Sequence, residues 1–245
     1  MLRSTIFKTQ QTDPVHGFRL RGQEVKRIET FSDGVFAFAV TLLIVSLEVP
    51  KTFEELLISM RGFGAFAICF TLLMLIWHEQ NIFFRRYALD DKISIILNAC
   101  LIFIVLFYVY PLKFLFTLLF SDSIYPAGKN PFSIRDDQAP QLMVIYGIGY
   151  VAIYSTFTLL YCHALRKKHT LDLNRFEVFD TRTRLYGQLV MVAAGVCSIL
   201  LALCLSPKHA GLSWMSYLAI GPLLWLVHGR RGMIRRRTLQ KESND

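Results

Sequence analysis

The sequence is short of charge. Only 18% of its 245 residues are charged while 53% are hydrophobic, against about a quarter charged in a soluble domain. That deficit excludes an ordinary water-soluble enzyme, and an aromatic content of 13% in long apolar blocks excludes a disordered chain. Catalytic signatures are missing too: the sequence holds no Walker motif, no HExxH and no GxSxG nucleophile elbow, so an enzyme is not expected. Gly62-Phe-Gly64-Ala-Phe-Ala67 matches the dinucleotide pattern GxGxxA. It lies inside an apolar run with no preceding strand, and its small residues are read instead as allowing close helix contact.

The five cysteines, Cys69, Cys100, Cys162, Cys197 and Cys204, fall in apolar stretches with no CxxC spacing. Neither a disulfide framework nor a zinc site is suggested, and they read as small buried hydrophobes. His16, His163, His169, His209 and His228 stand at the ends of apolar runs or in tails, where the usual fate is interfacial or solvated, so no metal is assigned. No bound cofactor is expected.

What the chain does have is six apolar blocks, near 31–50, 56–79, 93–119, 140–163, 186–206 and 212–228. Each is close to the roughly 20 residues that cross a hydrocarbon layer of about 30 Å in helical form. The expected fold is an all-α integral membrane protein in three parts: a cytoplasmic segment 1–30, a six-helix transmembrane domain 31–228 and a polybasic cytoplasmic tail 229–245. Residues 1–30 carry several charges and no apolar signal-peptide core, so 31–50 is expected to remain as the first span.

The net charge of +9 would suggest nucleic acid in a soluble protein, but here the charges lie between the blocks. Segments 1–30, 80–92, 164–185 and 229–245 hold 21 of the 27 Lys and Arg residues. Basic segments resist translocation, so both termini are expected in the cytoplasm and no nucleic-acid partner is expected. The run from Arg230 to Arg237 reads as a topology anchor, with attraction to anionic lipids as a second use. Pro126, Gly128 and Pro131 mark 120–139 as a short extracellular cap, and Pro111 and Pro222 as points of curvature.

The first span carries the unusual chemistry. Asp33 places a carboxylate in an apolar helix, which costs about 2.5–3.5 kcal/mol at the bilayer centre and less near the interface, so it needs a partner or a function. The second block ends at Trp77-His78-Glu79 and the third reaches Asn98 at a matching depth. The expectation is a buried polar knot of Arg27, Ser32, Asp33, His78 and Asn98, with the Trp77 indole as a further donor; the alternative is that Ser32 and Asp33 merely cap the helix. At about 100° per residue Gly34, Phe38, Thr41, Val45 and Glu48 form one stripe on the other face. Around an axis of several copies it would make a path with Glu48 as an outer acidic ring, Phe38 and Val45 as dewetting constrictions and Thr41 as a hydroxyl ring. The competing use of the stripe is packing against a neighbouring helix. The aromatic residues of the third block, Phe103, Phe107, Tyr108, Tyr110, Phe114, Phe116 and Phe120, read as surrounding their helix and serving lipid contact and subunit packing.

Arg27-x-x-x-Phe31-Ser32-Asp33-Gly34, followed by Phe36-Ala37-x-Ala39-x-Thr41-Leu42-Leu43, resembles the first-helix signature of bacterial homologues of transmembrane protein 175, the endolysosomal potassium channel. Trp77-His78 and Leu97-Asn98 are similar to that family as well. The resemblance implies a homotetramer of six-helix subunits in the bacterial plasma membrane, with four first helices lining a leak-type cation pore of modest K⁺ over Na⁺ preference. Permeating K⁺ would be its only ligand. Carried over by position, Phe38, Leu42 and Val45 form the hydrophobic constriction and Thr41 contributes to selectivity, while Arg27, Ser32, Asp33, Trp77, His78 and Asn98 hold the helix in place. The family lacks the filter loop of voltage-gated potassium channels, and no Thr-Val-Gly-Tyr-Gly occurs here either. The chain departs from the family at Phe38, where Ile or Leu is usual. Two other classes compete: a proton-coupled secondary transporter using Asp33 and His78 as a relay, and a non-conducting membrane scaffold.

Overall fold

A computed structural model describes residues 18–22, 24–45, 50–125, 134–135, 137–205, 207–227 and 229. Its helices in chain order are α1 (Arg27–Val45), α2 (Phe53–Arg61), α3 (Phe63–Tyr87), α4 (Lys92–Leu119), the short α5 (Ser121–Ile124), α6 (Ala139–Arg166) and α7 (Arg175–Cys204). A 3₁₀ helix, Pro207–Ala219, follows α7. It passes into an α-helical stretch over 220–227, and the apolar part is Gly211–Val227. No strand occurs among the described residues.

Among the described residues four helical stretches are long and apolar enough to cross a membrane: Phe53–Tyr87, which joins α2 and α3, and α4, α6 and α7. At most 33% of the residues in their apolar windows are buried inside the subunit. So much outward apolar surface is stable only against hydrocarbon or another copy of the chain.

The helices extend further than the apolar blocks at the basal end of the bundle, where α1 begins. α3 runs to Tyr87 and not to 79, α6 runs to Arg166, and α7 starts at Arg175 and not near 186. The start of α7 has a local cause. The Asn174 side chain accepts from the Glu177 N–H while the Glu177 carboxylate accepts from the Asn174 N–H, a capping box that satisfies orphan donors before the apolar run begins. Hydropathy marks where a helix enters hydrocarbon, not where it starts.

The tightest packing joins α6 and α7. A Cβ built on Gly147 would lie 2.4 Å from the Ile199 side chain, and one on Gly195 would lie 2.7 Å from Val151, so these glycines let the two backbones approach. Gly64 behaves otherwise: nothing lies within 4 Å of a Cβ placed there, so the close contact expected of the Gly62–Ala67 run is absent at Gly64 within the subunit. The core lies where α3, α4 and α6 meet, around Phe83, Phe84, Leu101, Phe157, Leu160 and Tyr161. Phe83 meets Tyr161 edge to face with centroids 5.3 Å apart.

Two expectations change. Only Cys69 is buried, whereas Cys100, Cys197 and Cys204 are exposed on their helices, because a membrane helix is apolar on its outer side too. On α4 the aromatic residues do not surround the helix evenly. Phe103, Phe107, Tyr110 and Phe114 form one exposed stripe at offsets of four, seven and eleven residues, which leaves Val105, Val109 and Leu112 for the core.

Candidate ion pathway on the first helix

α1 is two-faced. Glu29, Ser32, Phe36, Ala39 and Leu43 recur at intervals of three and four and are buried against α3 and α4. On the opposite face Phe31, Phe38 and Leu42 are 64%, 58% and 40% exposed, with Gly34 and Thr41 exposed between them. Apart from the backbone of its own helix and its chain neighbours, nothing among the described residues lies within 4 Å of a Cβ placed on Gly34. Among the described residues, nothing in the subunit covers the part of the predicted stripe at Gly34, Phe38 and Thr41, so packing between described helices of one subunit does not account for it. The Val45 side chain and the whole of Glu48 lie outside the described residues.

The Thr41 hydroxyl donates to the carbonyl of Phe38 at 2.7 Å. Its one proton is thereby used within the helix, and the oxygen presents lone pairs outward. A cation passing this face would meet an acceptor between two apolar levels.

The buried face is held by a chain of hydrogen bonds. Gln80 Nε2 donates to Asn98 Oδ1 at 2.7 Å, Asn98 Nδ2 donates to Ser32 Oγ at 2.7 Å, and Ser32 Oγ donates to the carbonyl of Ile28 at 2.8 Å. Ser32, Asn98 and Gln80 are 0%, 1% and 2% exposed, so each bond forms where no water competes. Beside this chain, Trp77 Nε1 donates to Asp33 Oδ1 at 2.7 Å, which gives the carboxylate its partner. Of the residues expected in one buried knot, Ser32 and Asn98 bond to each other in the buried chain, while Asp33 and Trp77 form a separate pair in which Asp33 is exposed in the subunit. The capping alternative fails because α1 starts at Arg27, which places Ser32 and Asp33 inside the helix.

Two expected members stay outside the knot. Arg27 and His78 are exposed in the subunit and take no part in these bonds. His78 is one residue off the face that carries Trp77 and Gln80, and a step of one residue turns a helix by about 100°. The Asp33–His78 relay of a transporter is thus not assembled here; Trp77 takes the place of the histidine. Gln80 was not anticipated, although its spacing of three from Trp77 puts both on one face.

A second network ties α3 to the rest of the bundle. Glu79 accepts from Tyr161 Oη of α6 at 2.7 Å and from Gln188 Nε2 and Arg184 Nη1 of α7 at 2.9 and 3.0 Å. At the basal end the strap Phe18–Arg21 lies across the helices. Glu177, 1% exposed, accepts from Arg19 Nη2 at 3.1 Å and Arg21 Nη2 at 2.8 Å. Phe18 packs edge-on against Tyr87 with the Arg86 guanidinium 4.7 Å from its ring centroid.

In the turn between α3 and α4, Asp91 accepts from Ser94 Oγ at 2.8 Å and pairs with His163 at 2.9 Å and Lys167 at 3.3 Å. Burial pushes its carboxyl up, but the bonds from Ser94 and Lys167 and the charge of His163 outweigh burial and hold it at about 2. His163 is therefore buried and paired, a correction to its reading as an interfacial residue. Among the described residues no group of three or more His, Cys, Asp or Glu side chains is arranged to hold a metal.

Comparison with known proteins covers both faces of α1. Residues 27–108 match the family model of the endosomal/lysosomal potassium channel TMEM175. A potassium channel of Marivirga tractuosa is 43% identical over 192 residues, which cover 76% of this chain and 78% of that protein. A crystal structure of a variant of the potassium channel MtTMEM175, bound to a nanobody–MBP fusion, is 37% identical with a TM-score of 0.72, covering 93% of this chain and 98% of that one. The lysosomal potassium-selective channel TMEM175 homologue from Chamaesiphon minutus is 25% identical with a TM-score of 0.50, covering 84% of this chain and 96% of that one.

Proposed function

The chain belongs to the TMEM175 family of endosomal/lysosomal potassium channels, and from that membership and the two faces of α1 we propose that it is a potassium-permeable channel whose first helix lines the path. It is an integral membrane protein with several apolar helices long enough to span. One observation carries the mechanistic part: the face of α1 that bears Gly34, Phe38, Thr41 and Leu42 is exposed, while the opposite face is locked to α3 and α4.

Four copies around a common axis would bring four such faces together. Phe38 and Leu42, with Val45 above them, form the apolar constriction, which opposes ions by dewetting. Thr41 supplies a ring of oxygen acceptors between the apolar levels, and Glu48 an acidic ring beyond them that gathers cations. A ring of single hydroxyls replaces only part of a hydration shell, so K⁺ is favoured over Na⁺ modestly. Asp33, Trp77, Ser32 and Asn98 hold the pitch and rotation of α1, and no step makes or breaks a covalent bond.

Six spans fit the lengths. The 19 residues of α1 reach about 28 Å at 1.5 Å per residue. Gly211–Val227 gains length from its 3₁₀ part, which rises about 2 Å per residue, and so reaches about 30 Å. An even number of spans with the basic segments at the basal end puts both termini in the cytoplasm. In a bacterium the surrounding membrane is the plasma membrane, and the basic tail adds contact with anionic lipid.

Flux of K⁺ and Na⁺ through purified protein in liposomes, each driven by its own gradient, tests the reading beside a Phe38→Ala variant. The expected result is larger K⁺ than Na⁺ flux in the parent and a higher rate in the variant. No flux from either protein, with assembly and insertion verified, refutes it in favour of a transporter or scaffold.

A further inference from the structure

Toward the distal side of α1 stands a contact that the pathway does not explain. The carbonyl of Leu43 accepts from Lys113 Nζ of α4 at 3.0 Å. The Leu43 side chain, 2% exposed, lines a small apolar cavity with Cys69, Leu73, Val109 and Leu112. Leu43 is thus fixed twice, by its side chain in the core and by its carbonyl on an ammonium.

Leu43 and Ser32 are separated by three helical turns, so they share one face about 16 Å apart along α1. Their partners Asn98 and Lys113 both belong to α4. One helix therefore grips the pathway helix at two levels, and Phe38, Thr41 and Leu42 project from the other side between or beside the grips. An ammonium suits this position because its flexible stem reaches across from α4 while the carbons stay in apolar surroundings. A lysine that merely snorkelled would direct its ammonium toward the interface; this one ends on the backbone of another helix.

We infer that Lys113 is a positioning residue for ion selection: by holding the carbonyl of Leu43 it sets the rotation and depth of α1 around Leu43, and with them where the Thr41 oxygen and the Leu42 side chain stand in the path. This rests on α1 lining the pathway, as proposed above. It assigns to Lys113 no contact with the ion.

The test uses the full chain in liposomes as parent, Lys113→Met and Lys113→Arg, reading K⁺ and Na⁺ flux together with hydrogen exchange of α1. Lys113→Met keeps the apolar stem and removes the charge. The expected result is a lower K⁺ to Na⁺ flux ratio and exchange in Ala39–Val45 faster by roughly three- to tenfold, the size expected for one interhelical bond in a membrane. Exchange around Ser32 stays as in the parent, and Lys113→Arg restores both readings. Parent-like exchange in Lys113→Met overturns the inference, as does faster exchange with an unchanged flux ratio in a conducting protein. If the parent conducts nothing, the proposed pathway falls and Lys113 loses its role in selection with it, while exchange still reports whether it positions the helix. Should Lys113→Met fail to assemble, Lys113→Leu, which also removes the donor, is read against the same outcomes.

Discussion

Asn98→Ala removes the centre of the buried chain. The substitution deletes the acceptor of Gln80 Nε2 and the donor to Ser32 Oγ, both at 2.7 Å. Ser32 loses little, since its hydroxyl still donates to Ile28. Gln80 loses its acceptor while only 2% exposed, so its amide is left without water. Interhelical bonds in membranes average about 0.6 kcal/mol and reach about 1.7, because the unfolded chain also finds partners in the bilayer. Leaving a buried amide unsatisfied adds about 1–3 kcal/mol. The sum for Asn98→Ala is a loss of about 2–4 kcal/mol, to which the cavity left by the side chain adds. Reversible unfolding in mixed detergent micelles measures it, in a cycle with Gln80→Leu and the double variant. If the orphaned amide carries the cost, the double variant is about 1–2 kcal/mol more stable than additivity predicts. A loss below about 0.5 kcal/mol for Asn98→Ala, or strict additivity, would refute the claim that these bonds hold α1 to α3 and α4.

Two further outcomes follow from the basal end. Glu177→Gln removes the charge that Arg19 and Arg21 share and leaves two guanidinium groups facing each other, at a cost of about 2 kcal/mol; trypsin should then cut after Arg19 and Arg21 faster, and an unchanged rate would show that the strap is held by Phe18 alone. Asp91 is held at about 2 from an ordinary 3.8, so it binds protons less readily folded than unfolded and contributes about 2 kcal/mol that is full above pH about 4 and lost as the pH falls toward about 2. Thermal melts of the parent and Asp91→Asn should differ at pH 6 and converge near pH 2, and a gap independent of pH would mean that the ion pairs contribute nothing.

The residues of α1 show how far a linear reading reaches. The stripe through Gly34, Phe38 and Thr41 was legible because helical periodicity is a property of the chain itself, and Asp33 drew attention because a carboxylate in an apolar run is costly wherever it lies. Asn98 was found by matching depth across two helices. His78 was misplaced because depth does not specify rotation: a neighbour on the same turn can face the opposite way, and Trp77 and Gln80 are the ones that face α1 and α4. The Glu79 network and the docking of Arg19 and Arg21 on Glu177 join residues more than 80 positions apart, and no local pattern pairs them.

By itself the sequence determined that this chain lives in a membrane, that it is helical, and which face of its first helix is unlike the other. These follow from composition and period, which need no knowledge of neighbours. The tertiary structure decided which face of α1 is covered, that Trp77 and not His78 meets Asp33, that Lys113 ends on the carbonyl of Leu43, and that three helices run on beyond the apolar blocks into a basal cluster of ion pairs. In a chain that is apolar on nearly every side, hydropathy cannot separate the face that meets lipid from the face that meets protein. Only the packed positions of the few polar groups distinguish them.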